Sequence, residues 1–141
     1  MMKILVAIDG RPTSRHAVEW LARQHALFGA AALTCLFIEP PPPLRAVGAL
    51  GADPGMPASP GVDAPAVAAP LLQILREAGY QPTLDARAGE PGPEIVQAAG
   101  DGGYDLVVLG ASEGGLLRRT VLGSVGRTVL AASPVPVLIV R

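Results

Sequence analysis

Short apolar runs recur along this chain, each ended by a turn signal and separated from the next by residues with helical spacing. Lys3-Ile-Leu-Val-Ala-Ile8 is the first run, stopped by Asp9-Gly10. Runs this short and this continuous suit strands covered on both faces. Ser14, Ala17, Val18, Leu21, Ala22, His25 and Phe28 fall on one broad helical stripe closed by Gly29. A second run, Leu33 to Ile38, ends at Glu39-Pro40. Strand, helix, strand within forty residues makes a βαβ unit, with its two strands parallel.

The same alternation returns later. Pro65 opens a helix that carries Val67, Leu71, Leu72, Leu75 and Ala78 and stops at Gly79. Thr83 to Ala88 is a polar strand candidate suited to an edge. Gly89 to Pro93 reads as a loop, and a helix follows from Glu94 through Ala99. Leu106 to Leu109 is strongly strand-like. A glycine-containing segment comes next, and Leu122-Gly123-Ser124 opens a last helix with Val125, Val129 and Leu130 inward. Ser133-Pro134 ends that helix, and Val135 to Val140 is a closing strand. Five strands alternating with about four helices predict an α/β protein with an open, doubly wound five-stranded parallel sheet. At 141 residues the expectation is one domain over residues 1–141. The exception to the pattern is an insert at about 40–65. Nine of the fifteen prolines fall between Pro40 and Pro70, so a surface loop is expected there, with at most a short helical piece around Leu44 to Leu50.

Composition removes several function classes. The formal net charge is −1, which argues against nucleic-acid binding by bulk electrostatics. No run is long enough to span a bilayer and no signal-like segment opens the chain, so a cytoplasmic location away from membranes is expected. Cys35, the single cysteine, sits in an apolar run and reads as a small buried hydrophobe. His16 and His25 have no third ligand nearby, and no metal site is expected.

In a sheet of this kind ligands bind outside the C-terminal strand ends, where strand order reverses. Three loops reach that place: Asp9-Gly10, Ile38-Glu39, and Gly110 to Ser124. In the third, glycines at 110, 114 and 115 allow backbone amides to approach a ligand, and Gly123-Ser124 stands at a helix start that favours an anion. It is not a Walker A loop, since no lysine follows Lys3. After Glu113 there is no acidic residue, while Arg118, Arg119, Arg127 and Arg141 make that end basic.

Asp9-Gly10 after the first strand, Leu106-Val-Val-Leu-Gly110, the spacing Gly110-x2-Glu113-x9-Gly123-Ser124 and the closing Ser133-Pro-Val-Pro-Val-Leu-Ile-Val140 together resemble the universal stress protein family. The resemblance covers essentially the whole chain except the proline-rich insert. It implies sheet order 3-2-1-4-5, the adenine-nucleotide alpha hydrolase-like arrangement. It implies ATP, with or without Mg²⁺, as ligand, and a homodimer made through Val135 to Val140. Carried over by position, the backbones of Ala7 and Ile38 line the base and Asp9 helps hold the adenosine part. Gly110, Gly123, Ser124 and the adjoining Val125 belong to the phosphate side. The family's second motif glycine is replaced here by Glu113, which adds a negative charge near the phosphates. Gly114 can take over its amide by a one-residue shift. The expected function is therefore a regulatory, ATP-binding stress protein whose binding Glu113 weakens. The alternative is a dimeric interaction protein of the same family that has lost the nucleotide. No base stands beside a nucleophile, so slow ATP hydrolysis is the most turnover expected.

Overall fold

The computed structural model describes residues 1–39, 63–114 and 119–141, and for residues 112–114 and 119–121 it describes the backbone. The proline-rich insert, including the helical piece expected near Leu44, lies almost wholly outside the described residues, as does Arg118.

The chain folds in the order β1 (Lys3–Ile8), α1 (Pro12–Arg23), α2 (His25–Phe28), β2 (Ala32–Glu39), α3 (Ala64–Ala78), β3 (Thr83–Ala88) and α4 (Pro91–Asp101). It continues with β4 (Leu106–Gly110), β5 (Ser112–Gly114), β6 (Arg119–Val121), α5 (Ser124–Ala132) and β7 (Val137–Val140). Five strands form one parallel sheet in the order β3-β2-β1-β4-β7. Counting only its members, this is the order 3-2-1-4-5. Strand order reverses between β1 and β4.

Each strand sends alternate side chains to opposite layers, as a pleated strand must. Ile4, Val6 and Ile8 of β1 join Leu33, Cys35 and Phe37 of β2 under α1 and α3, which contribute Ala17, Val18, Leu21, Leu71, Leu72 and Leu75. Leu5 of β1, Leu36 and Ile38 of β2, and Val107 and Leu109 of β4 face the other way, against Ile95, Ala98 and Ala99 of α4 and Val129 of α5. This double coverage explains why the strands read as unbroken apolar runs. Each buried Leu, Ile or Val contributes roughly 1.5–3 kcal/mol.

Local chemistry sets the helix ends. Asp63 caps α3 by accepting the Ala66 N–H at 3.2 Å, and Gly79 closes it in the left-handed region at φ 110°. Pro70 lies inside α3 without breaking it. It deprives the Ala66 carbonyl of a partner, but both residues are exposed and water can substitute. Helix α4 starts at Pro91, ahead of the expected Glu94, because Pro91 and Pro93 fall in a first turn whose N–H groups need no intrahelical acceptor.

The first helical stripe divides in two at Gln24. The Leu21 carbonyl, which a continuous helix would offer to residue 25, accepts instead from the Gln24 N–H at 3.0 Å and from the Tyr80 hydroxyl at 2.9 Å. The closing strand begins at Val137, not Val135. Ser133 Oγ donates to the Val135 carbonyl at 2.7 Å and accepts its N–H at 3.2 Å, and Pro136 has no N–H to give a ladder. Leu130, expected inward, is 48% exposed. It sits about 100° around the helix from the fully buried Val129, and the layer takes only that neighbour.

Candidate functional site

The C-terminal ends of β1, β2 and β4 open onto a crevice of about 660 Å³ at the point where strand order reverses. Its floor is Ala7, Ile8, Leu36, Ile38 and Leu109 at the strand ends. Its sides are the Asp9–Ser14 turn, Val67 of α3, Pro91 and Ile95 of α4, and residues around the start of α5, including Leu122, Gly123 and Val125. The lining is mostly apolar with a few polar groups at one side, a composition suited to a flat, partly apolar ligand.

The polar corner is built by Asp9 and Ser14. Ser14 is buried, 5% exposed. Its hydroxyl donates to Asp9 Oδ1 at 2.7 Å and accepts the Asp9 N–H at 2.7 Å. The same Oδ1 accepts the Arg11 N–H at 2.8 Å. Asp9 thus closes the turn into α1, as its Asp-Gly sequence allows. Its Oδ2 makes no hydrogen bond among the described residues, which leaves one carboxylate oxygen for a ligand hydroxyl.

Of the sequence-derived residues, Ala7, Asp9, Ile38, Gly110, Gly123 and Val125 line the crevice together. Ser124 is exposed and is not one of its walls. It is the first residue of α5, the cap position is Gly123, and no side chain caps the helix. Glu113 and Gly114 lie in a short antiparallel ribbon of β5 and β6, paired with Thr120 and Arg119. The sequence there carries glycines and no strand signal. Successive amides in such a ribbon point to opposite edges. One of the two neighbouring amides, Glu113 or Gly114, therefore faces away from the partner strand and can meet another acceptor.

Gly110 is required for packing as well as for access. A Cβ on it would overlap the Thr13 carbonyl oxygen and lie 2.5 Å from the Thr13 carbonyl carbon. The first turn of α1 therefore rests on the end of β4, and both Thr13 and Gly110 line the crevice.

Ser14 and Val67 are among the crevice residues beyond those read from the sequence. Ser14 does carry a signal: a hydroxyl five residues after a strand-end aspartate, inside the first turn of a helix. Val67 carries none, because its approach to Gly10, with a Cβ there 3.6 Å from Val67 Cγ1, follows from how α3 lies across the sheet.

The family model of the universal stress proteins matches residues 1–141, the whole of the chain. The chain belongs to the universal stress protein family. Among similar solved structures is a universal stress protein in complex with cAMP, 23% identical, with a TM-score of 0.68 over 99% of this chain and 96% of that one. The Archaeoglobus fulgidus universal stress protein in complex with dAMP is 19% identical, with a TM-score of 0.65 over 100% and 98% of the two chains. An Arabidopsis thaliana member with AMP bound is 16% identical, with a TM-score of 0.70 over 99% and 91%. At these identities the likeness establishes the fold. A comparison with curated protein sequences gives no match. Among the described residues of this universal stress protein, no three His, Cys, Asp or Glu side chains gather as a metal site, and no helix is long and apolar enough to cross a membrane.

Proposed function

We propose that this universal stress protein is a regulatory protein that binds ATP or another adenine nucleotide in the crevice at the β1–β4 reversal. The observation that carries the reading is the convergence of Ala7, Asp9, Ile38, Gly110 and Gly123 on one crevice of about 660 Å³. The base lies against the strand ends at Ala7 and Ile38, and a ribose hydroxyl donates to Asp9 Oδ2. The phosphates meet backbone amides beyond Gly110 and at the start of α5, where the helix dipole favours negative charge. Three relatives of the same fold are in complex with cAMP, dAMP and AMP, which supports the adenine class for this chain. Mg²⁺ would enter with ATP as the counter-ion of its phosphates.

Glu113 is the specific feature that favours the second reading, a family member that has lost the nucleotide. A carboxylate about 4 Å from a phosphate charge, at an effective dielectric of about 20, is opposed by about 4 kcal/mol as an upper guide. The outward amide of the β5–β6 ribbon works against that penalty, so binding is weakened and not abolished. Calorimetric titration separates the two readings. ATP or AMP is expected to release heat and to raise the melting temperature, since a ligand specific to the native state stabilises it. Absence of both effects at millimolar nucleotide supports the interaction protein instead.

The proposed assembly is a homodimer through β7. This strand closes one edge of the sheet with Val137, Leu138 and Ile139 half-buried, and an apolar edge left unpaired invites association. Light scattering at micromolar concentration is expected to give twice the chain mass; a monomer contradicts the assembly.

A further inference from the structure

Two charged side chains line the crevice among the described residues, Asp9 and Arg11. Arg11 occupies the N-cap position of α1 and makes no side-chain cap. That is a poor place for a cation by helix chemistry alone. The position favours a short side chain that accepts a hydrogen bond, and the positive end of the helix repels a guanidinium. The backbone there is firmly held. The Arg11 N–H donates to Asp9 Oδ1 at 2.8 Å, the Arg11 carbonyl accepts from the Ser14 N–H, and Pro12 follows directly. Beyond that fixed backbone the side chain is exposed, and its guanidinium has no hydrogen bond or ion pair among the described residues. Three other arginines among the described residues are occupied: Arg15 pairs with Glu19, Arg87 with Asp85, and Arg127 donates to the Leu122 carbonyl.

We propose that Arg11 is the side-chain anchor for the anionic group of the crevice's ligand and selects a phosphorylated ligand over the free nucleoside. The proposal rests on the adenine-nucleotide reading above and deepens it. Without Arg11 the described lining would carry only the negative charge of Asp9, which opposes a phosphate. With it the described lining is neutral, and Arg11 can offer a guanidinium fork of N–H donors to a phosphate that leaves the apolar floor.

The test compares AMP with adenosine on the full chain and on two variants at this exposed position, Arg11→Gln and Arg11→Lys. Arg11→Gln is expected to weaken AMP by about tenfold or more, the size of a lost charge-assisted hydrogen bond, while adenosine changes by less than about twofold. Arg11→Lys is expected to recover part of the AMP affinity, because the charge returns without the fork. An unchanged ratio of AMP to adenosine affinity in Arg11→Gln overturns this proposal and leaves the nucleotide reading standing. A wild-type chain that binds neither ligand overturns that reading, and this proposal with it.

Discussion

Gly110→Ala is expected to destabilise the protein by about 3 kcal/mol and to abolish nucleotide binding in the fraction that remains folded. The added methyl has nowhere to go. It would overlap the Thr13 carbonyl oxygen, and that oxygen is helix backbone, not the tip of a side chain. Relief requires α1 to lift from β4. The lift would carry away the turn in which Ser14 holds Asp9, so the cost falls on the crevice as well as on the fold. Gly10→Ala is the matched control. Gly10 also lines the crevice, yet its added methyl meets Val67 Cγ1 at 3.6 Å, an ordinary contact. Its effect on stability is expected to stay within about 0.5 kcal/mol. Denaturant titration of the two variants beside the wild type gives both numbers. Equal stability of the two variants contradicts the packing role assigned to Gly110.

A second large effect is expected in alkali. Cys35 is wholly buried in β2, and burial pushes its thiol up from 9.0 to about 12, with Arg76 pulling weakly the other way. The unfolded chain therefore gives up the thiol proton near its ordinary value of 9.0 while the folded chain keeps it. Above that pH the unfolded state binds fewer protons, so stability falls as pH rises and is fully present only below it. Each pH unit in the window costs about 1.4 kcal/mol, or roughly 3 kcal/mol by about pH 11. Burial raises the Tyr80 hydroxyl in the same direction, adding to the loss above its ordinary 10.0. Cys35→Ala removes the thiol's share alone. Unfolding free energies measured from about pH 8 to about pH 11 are expected to fall more steeply for the wild type than for Cys35→Ala. Parallel curves contradict the assignment. The same burial keeps the thiol from reagents at neutral pH, in keeping with a packing role for this residue.

The layers are legible in the sequence because both faces of β1, β2 and β4 are covered, so Lys3–Ile8, Leu33–Ile38 and Leu106–Leu109 need no partner to be read as strands. Asp9 and Ile38 are legible for a related reason: they stand where strands end, and strand ends are where a parallel sheet places ligands, whereas Ala7 is reached only through the family resemblance. The differences between sequence and structure arise mostly from contacts made far along the chain. The break at Gln24 depends on Tyr80, whose hydroxyl takes the carbonyl of Leu21, 59 positions earlier. The stretch Val135-Pro136-Val137 reads as strand by apolar content, but Ser133 binds both backbone groups of Val135, and Pro136 donates nothing. The β5–β6 ribbon leaves no mark because its paired residues, Glu113 with Thr120 and Gly114 with Arg119, show no apolar alternation. In the sequence Gly110 speaks only of ligand access. Its contact with Thr13 joins two distant segments and leaves no trace in either.

Arg11 illustrates the opposite case. Its position next to Asp9-Gly10 is plain in the sequence, but its meaning depends on the Asp9–Ser14 corner, which holds the backbone of Arg11 and leaves its side chain at the rim of the crevice.

A crystal structure of the protein grown with AMP tests the central claim most directly. The account predicts the adenine ring against Ala7 and Ile38, a ribose hydroxyl on Asp9 Oδ2, and the phosphate between Arg11 and the Gly123 end of α5. A nucleotide seated elsewhere, or a crevice that stays closed to it at saturating AMP, would contradict that claim.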